Sequence, residues 1–265
     1  MSTDYLTPVL TGKTLLRANP VSKLFAATVV TLALMASIDW VSAAVVLACE
    51  LALMPLLGIS AVGLARRIWP LLIAAAIGAY GTALLAEKTG RVLLDVGPLL
   101  FTEGSVAAGI AVGLRGLALA LPGIFLLLTT DPTDLADALA QKLHLPHRFV
   151  LGALASLRLV GLLVEEWEAL GLARHARGIG SDGSIIARTR NLLGQSFGLI
   201  VQAIRRATRL ATAMEARGFG GGPRTWARES TLAPLDAAVA VVGLLIAGGA
   251  VTAAVLAGTW NFILS

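Results

Sequence analysis

Apolar residues run in five long blocks, at 24–38, 41–59, 68–86, 106–129 and 235–256. A helix needs about 20 apolar residues to cross the hydrocarbon of a bilayer, so each block reads as a transmembrane helix. The blocks are rich in Ala, Gly and Leu rather than aromatics, and such small residues let helix backbones approach closely where water supplies no drive for association. Asp39-Trp40 leaves room only for a tight turn between the first two. Between the fourth and fifth blocks the pattern changes. Asp131-Pro132-Thr133-Asp134 ends a span and opens a short helix over 135–142, with Pro132 in a first turn where its missing N–H costs nothing. His144-Leu145-Pro146-His147 breaks the chain. A long helix is predicted over 148–177, stopped by Gly178, Gly180, Ser181, Asp182 and Gly183, and a second over 184–217, ended by the run 218–223.

At about 1.5 Å per residue each long helix extends roughly 45–50 Å. Both are too polar to cross lipid and too apolar to stand alone in water, so a face of each needs a cover. The stretch 149–164 is also largely apolar, but Arg158 interrupts it and Glu165, Glu166 and Glu168 follow. A charge at a span centre costs about 2.5–3.5 kcal/mol on insertion scales, which assigns the stretch to the first long helix rather than to a sixth span.

Composition agrees with lipid as the solvent. Of 265 residues, 57% are hydrophobic and only 14% charged, against about 25% in soluble domains, and mean hydropathy is +0.82. One water-soluble core of this size has no way to bury so much apolar surface. The net charge of +5 marks a cytoplasmic face rather than a nucleic-acid partner, since no nucleic-acid module is present. Lys13, Arg17 and Lys23 precede the first block, Arg66 and Arg67 lie between the second and third, and 141–228 holds 13 of the 21 Lys and Arg residues. The positive-inside rule puts all three regions in the cytoplasm and the C-terminus outside. The first 14 residues carry no h-region with a cleavage site, so the first block is expected to remain as an anchor.

Several chemical motifs fall away. Gly12-Lys13-Thr14 resembles the end of a phosphate loop, but the glycine needed five positions earlier is Thr7, so no ATP site is expected in this chain. His144 and His147 flank Pro146 with no Cys or carboxylate at ligand spacing, and the single cysteine, Cys49, sits in an apolar run. Nothing nominates a catalytic residue, a metal set or a cofactor. Arg115 is an intramembrane charge, open to a functional role or to snorkelling; Asp236 reads as a first-turn acid favoured by the helix dipole.

The most distinctive feature is a near-repeat. Ala176-Arg177-Gly178-Ile179-Gly180 closes the first long helix and Ala216-Arg217-Gly218-Phe219-Gly220 closes the second, 40 residues later. Either copy alone is an ordinary helix end, with a basic last turn and an αL glycine. Two copies, ending two similar helices in one loop, suggest duplicated docking tips, each offering the planar donor fork of arginine to a carboxylate. The apolar stripe Leu154, Leu157, Val160, Leu163, Val164 and Trp167 on the first helix is the face that needs covering.

These twin motifs resemble the transmembrane T component of energy-coupling-factor (ECF) transporters, ABC importers of vitamins and transition-metal ions. Leu16-Arg17-Ala18-Asn19-Pro20-Val21-Ser22-Lys23, Leu128-Thr129-Thr130-Asp131-Pro132-Thr133-Asp134-Leu135, and Leu145-Pro146 with Arg158 and Glu165-Glu166 follow the family's order, so the likeness covers most of 14–258. It implies an all-α integral membrane protein of about five transmembrane helices plus a cytoplasmic module of long crossing coupling helices. The domains would be 1–130 with four spans, 131–233 as the coupling module and 234–265 with the last span. It further implies two ATPase subunits that bind the ATP, one at each tip, and a substrate-binding S component in the membrane. Two other classes remain open. An integral membrane enzyme needs paired carboxylates or a His/Asp site at the membrane face, and a carrier working alone needs inverted repeats. Neither pattern is seen.

Overall fold

The computed structural model describes residues 18–37, 39–55, 61–96, 99–179, 184–222, 226 and 228–260. Lys13, Arg17, the 12–14 motif, positions 180–183 and Pro223 lie outside them. The elements are α1 (Pro20–Ala36), α2 (Trp40–Leu53), α3 (Ala61–Leu85), β1 (Val92–Val96), β2 (Leu99–Thr102), α4 (Glu103–Thr129), α5 (Pro132–Lys142), α6 (His147–Ala176), α7 (Ile185–Ala216) and α8 (Pro234–Leu256). They fall into two compact units. One holds α1–α4, the hairpin and α8; the other holds α5–α7.

The first unit is a five-helix bundle in which α4 packs on α1, α2 and α3, and α8 on α1 and α2. By length and composition 68–85 of α3, all of α4 and all of α8 suffice to cross a membrane. The two remaining expected spans are shorter apolar helices, α1 of 17 residues and α2 of 14. At 1.5 Å per residue these reach about 25 and 21 Å, less than the roughly 30 Å of hydrocarbon. The block expected to run to 59 leaves its helix after Leu53, and 56–60 are not among the described residues. The expected all-α fold holds except for one small departure. The connection over 87–105 contains the antiparallel β1–β2 hairpin, whose last residue, Thr102, forms a capping box with Ser105 at the head of α4.

Caps decide where the other helices begin. The Asn19 side chain accepts the Val21 N–H at 3.0 Å and Pro20 opens α1; Asp39 accepts the Ser42 N–H at 2.6 Å and opens α2. Asp236 does more than favour a dipole. It accepts the N–H of Ala233, the residue that caps α8, at 2.6 Å and the Asn19 N–H at 2.5 Å from the start of α1. The two helices therefore start level and run parallel. Lys23 donates to the Thr129 carbonyl at 2.8 Å, so α1 and α4 run antiparallel. Arg115 reaches the Ser37 carbonyl at the end of α1, beside the buried Asp39, Ser37 and Ser42 group. It is thus a capping group for a short helix hairpin that ends beside the middle of α4.

Close approach is made by small residues. A Cβ on Gly243 would meet the Cα and Cβ of Ala26 at 2.7 Å, and one on Gly109 would meet the Ala79 carbonyl at 2.5 Å. The core is correspondingly fine-grained, with Val30, Leu34, Ala43, Val46, Ala118 and Ala250 in one cluster. Large residues such as Ile77, Leu127 and Leu245 point outward, 66–72% exposed, as lipid-facing positions require. Gly243→Val is expected to lower stability in detergent by about 1–3 kcal/mol through overpacking. Gly248→Val, at a site with no neighbour within 4 Å, is expected to leave the thermal unfolding midpoint unchanged.

Candidate functional site: two helix tips and the faces between them

The second unit is built on α6 and α7. Their contacts define an antiparallel pair. Arg174 donates to the Asn191 side chain at 2.9 Å, Gln195 to the Trp167 carbonyl at 2.8 Å, and Arg148 to the Gly220 carbonyl at 2.5 Å. Arg206 is paired with Glu166 at 2.6 Å. The helices approach most closely where glycine allows it: a Cβ on Gly194 would meet the Arg174 guanidinium at 2.9 Å. Toward the start of α6 they splay and a groove opens. The short α5 lies against α6. Arg228 binds Asp134 of α5 at 3.1 Å, while Gln141 both accepts the Ser230 N–H and donates to the Arg228 carbonyl. On α5, partial burial holds the Asp137 carboxyl above its ordinary range, with Arg228 opposing and Asp134 adding to the rise.

Each tip is a helix end of the same design. Ala176 and Ala216 are the last helical residues, and Arg177 and Arg217 are the caps, at φ −87°, ψ 10° and φ −88°, ψ 9°. Gly178 and Gly218 follow with φ +77° and +72°. The Gly178 N–H donates to His175 O at 2.9 Å and Ile179 N–H to Arg174 O at 3.0 Å; Gly218 and Phe219 repeat this on Glu215 and Met214 at 2.9 and 3.0 Å. This is the Schellman arrangement, which needs a residue free to take positive φ after the cap. The αL glycine is required for that reason, not as a marker of function: α8 ends the same way at Gly258, with φ +66° and no arginine. What sets the two tips apart is the arginine each carries and its placement. All six residues, Ala176, Arg177, Gly178, Ala216, Arg217 and Gly218, are exposed. Because the pair is antiparallel, the two arginines lie at its opposite ends, roughly 45 Å apart at 1.5 Å per residue.

The stripe on α6 is divided. Leu157, Val160 and Val164 are 42–56% exposed, whereas Leu154, Leu163 and Trp167 are half-buried, with Leu154 beside α5 and Leu163 lining a cavity with Ala203 of α7. A second stripe escaped the sequence reading. Ile186, Leu193, Phe197, Ile200 and Ile204 of α7 recur at seven, eleven, fourteen and eighteen residues and are 55–80% exposed. The helical spacing could have found them. Their angle on α7 is roughly opposite Gln195, which faces α6, so they point away from the partner helix.

One residue of the membrane unit was also missed. Glu50 on α2 is 5% exposed, and neither carboxyl oxygen has a hydrogen-bond partner among the described residues. It lines a cavity of about 140 Å³ between α1, α2, α4 and α8, whose other polar walls are Lys23 and Thr129. A lone acid inside an apolar block was the available signal. His144, in the turn after α5, and His147, at the start of α6, belong to no cluster of three or more His, Cys, Asp or Glu that could hold a metal among the described residues.

Bundle and tips together define a polytopic membrane protein carrying a paired-helix module, a class met in transport systems. The chain belongs to the CbiQ family, described as cobalt transport protein, whose model matches residues 12–226. It is similar to the energy-coupling factor transporter transmembrane protein EcfT of Brevibacillus brevis, 36% identical over 168 residues, which is 60% of this chain and 63% of that one. It is likewise similar to EcfT of Bacillus subtilis, 34% identical over 62% of this chain and 64% of that one, and of Exiguobacterium sibiricum, 37% identical over 63% and 66%. The chain thus spans a little under two thirds of the length of these relatives. The matches bear out the resemblance to ECF T components read from the twin tips, and the relatives' names, as transporter parts, fit a chain that is not an enzyme.

A buried polar group without a partner costs about 1–3 kcal/mol in protein mutational data. Glu50→Met, which removes the carboxyl at similar volume, is expected to raise stability by that amount. The check is a thermal unfolding midpoint measured in detergent; a lowered midpoint would show that Glu50 has a partner in the folded protein.

Proposed function

We propose that this chain is the transmembrane coupling subunit of an ECF-type importer that takes up a vitamin or a transition-metal ion. The observation that carries this reading is the pair of matched, exposed arginine tips at opposite ends of one antiparallel helix pair. Two equal tips suit a dimeric partner with two equivalent grooves, and a guanidinium fork suits carboxylates in each. In this reading the two ATPase subunits, identical or related, bind the ATP. Ala176, Arg177 and Gly178 engage one of them, and Ala216, Arg217 and Gly218 the other. Small alanines let the tips enter, and the αL glycines turn the chain away behind them. Closure of the ATPase dimer then draws the tips together. A helix of about 45 Å transmits that displacement as a lever, because its hydrogen-bonded backbone resists compression.

The moving face is apolar. Leu157, Val160 and Val164 of α6, with the half-buried Leu154, Leu163 and Trp167 beside them, and the separate stripe on α7 from Ile186 to Ile204 offer hydrophobic contacts to a membrane-embedded S component, which recognises the substrate. The module over 131–233 and the N-terminus lie in the cytoplasm of a prokaryotic cell, with the bundle of 1–130 and 234–265 in its plasma membrane. The parallel start of α1 and α8 at Asn19 and Asp236 supports this, since it returns the chain to the face it left. The alternatives, a lone carrier or a membrane enzyme, gain no support from any residue cluster described above.

Arg177→Glu with Arg217→Glu is expected to cut capture of both ATPase chains by a tagged copy at least about tenfold, while membrane insertion and elution volume stay normal. Each single reversal is expected to lose less, because the second tip still tethers the dimer. Capture by the double variant at the normal level would sink the assignment.

A further inference from the structure

A groove of about 940 Å³ opens between the splayed ends of α6 and α7, beside the second tip. Its floor is hydrocarbon, from Leu151 and Leu154 on α6 and Leu210 and Met214 on α7. Its polar side is almost wholly cationic. Arg158 comes from α6, Arg206 and Arg209 from one turn of α7, and Arg217 from the second tip itself. Glu166 neutralises Arg206, but Arg158 and Arg209 have no ion-pair partner among the described residues. Nothing in the pairing of α6 with α7 accounts for free guanidinium groups set over an aliphatic trough. Apolar packing alone needs no charge there, and charges of one sign repel.

We propose that this groove holds one anionic phospholipid, its phosphate on Arg158 and Arg209 and an acyl chain along the leucine floor. Charge complementarity fixes the sign of the occupant. The distribution of polarity fixes its kind: four guanidinium groups carry the charge while the helix walls between them are mainly aliphatic, which is the division between head and tail in a lipid. An acidic peptide helix would instead need donors repeated along its length. Arginine is suited to the phosphodiester, which it grips with two parallel N–H donors, and basic pockets between helices are a known form of anionic-lipid site. The chain is a membrane protein, so such amphiphiles are always within its reach. An occupant wedged there would set the angle between α6 and α7, and with it the position of Arg217. The inference does not depend on the ATPase reading of the tips.

The test uses the full chain, purified in a nonionic detergent, with phosphatidylglycerol or phosphatidylcholine added in equal amounts and bound lipid read by native mass spectrometry. One phosphatidylglycerol per chain should be retained, with phosphatidylcholine weaker. Arg158→Gln with Arg209→Gln should reduce that retention about tenfold to thirtyfold, at unchanged helicity and elution volume. Arg158→Lys with Arg209→Lys, which keeps charge but not the fork, should fall between and covers the case in which the glutamine variant misfolds. Equal retention of both lipids, or full retention by either well-folded variant, overturns the proposal. So does complete displacement by excess glycerol phosphate, which would mean that the head alone is bound. Lost ATPase capture with phosphatidylglycerol retention intact would assign the groove to a protein and overturn it equally.

Discussion

The antiparallel contact of α6 with α7 is the constraint on which the functional geometry depends. Two helices with the same C-terminal motif, laid parallel, would put both arginines at one end. Laid antiparallel, they hold them about one helix length apart. The direction is fixed by a few contacts rather than by a broad core. Gln195 on the Trp167 carbonyl, Arg174 on Asn191 and Arg206 on Glu166 pin one register, and Gly171 and Gly194 let the helices close at that point. Away from it the pair splays, and apolar surface on both helices stays open. A pair this thinly packed gains little from its own interior, which is consistent with a part that becomes complete in an assembly.

The membrane unit follows a different economy. With no water to drive helices together, association relies on close backbone approach, seen at Gly243 on Ala26 and Gly109 on Ala79, and on hydrogen bonds at helix ends. The polar residues in this unit mostly work as caps. Asp39 serves α2, Arg115 the end of α1, and Asp236 joins the starts of α1 and α8. Glu50 is the exception, a buried acid with no such duty among the described residues. The energetic expectation for most polar groups buried in lipid is that a partner is found, so this residue stands out more sharply than any charge that merely occurs in a span.

Much of this was legible from the chain. The order of apolar blocks, the break at Pro132, the two long helices and their stop at Gly178 and Gly218 all follow from local rules: hydrophobic runs, proline at a first turn and glycine at positive φ. Those rules act over a few residues, so one sequence carries them. The matched tips were readable for the same reason. The short lengths of α1 and α2 were less so, because an apolar run does not say where a helix stops within it. The β1–β2 hairpin was missed although Gly97-Pro98 stands as a turn signal between the apolar runs 92–96 and 99–102, because runs of five and four residues are too short to show a strand period.

By itself, then, the sequence determined the solvent of each segment, the positions of the helix ends and the chemistry of the two tips, since all of these depend on neighbours along the chain. Only the tertiary structure decided that the tips point opposite ways, that the stripe on α6 is half covered while one on α7 is open, that Asp236 holds α1, and that Arg158 faces Arg209 across a groove. These features join residues from 17 to 217 positions apart, and the direction in which two helices cross is set by the fit of their side chains, which no local pattern encodes.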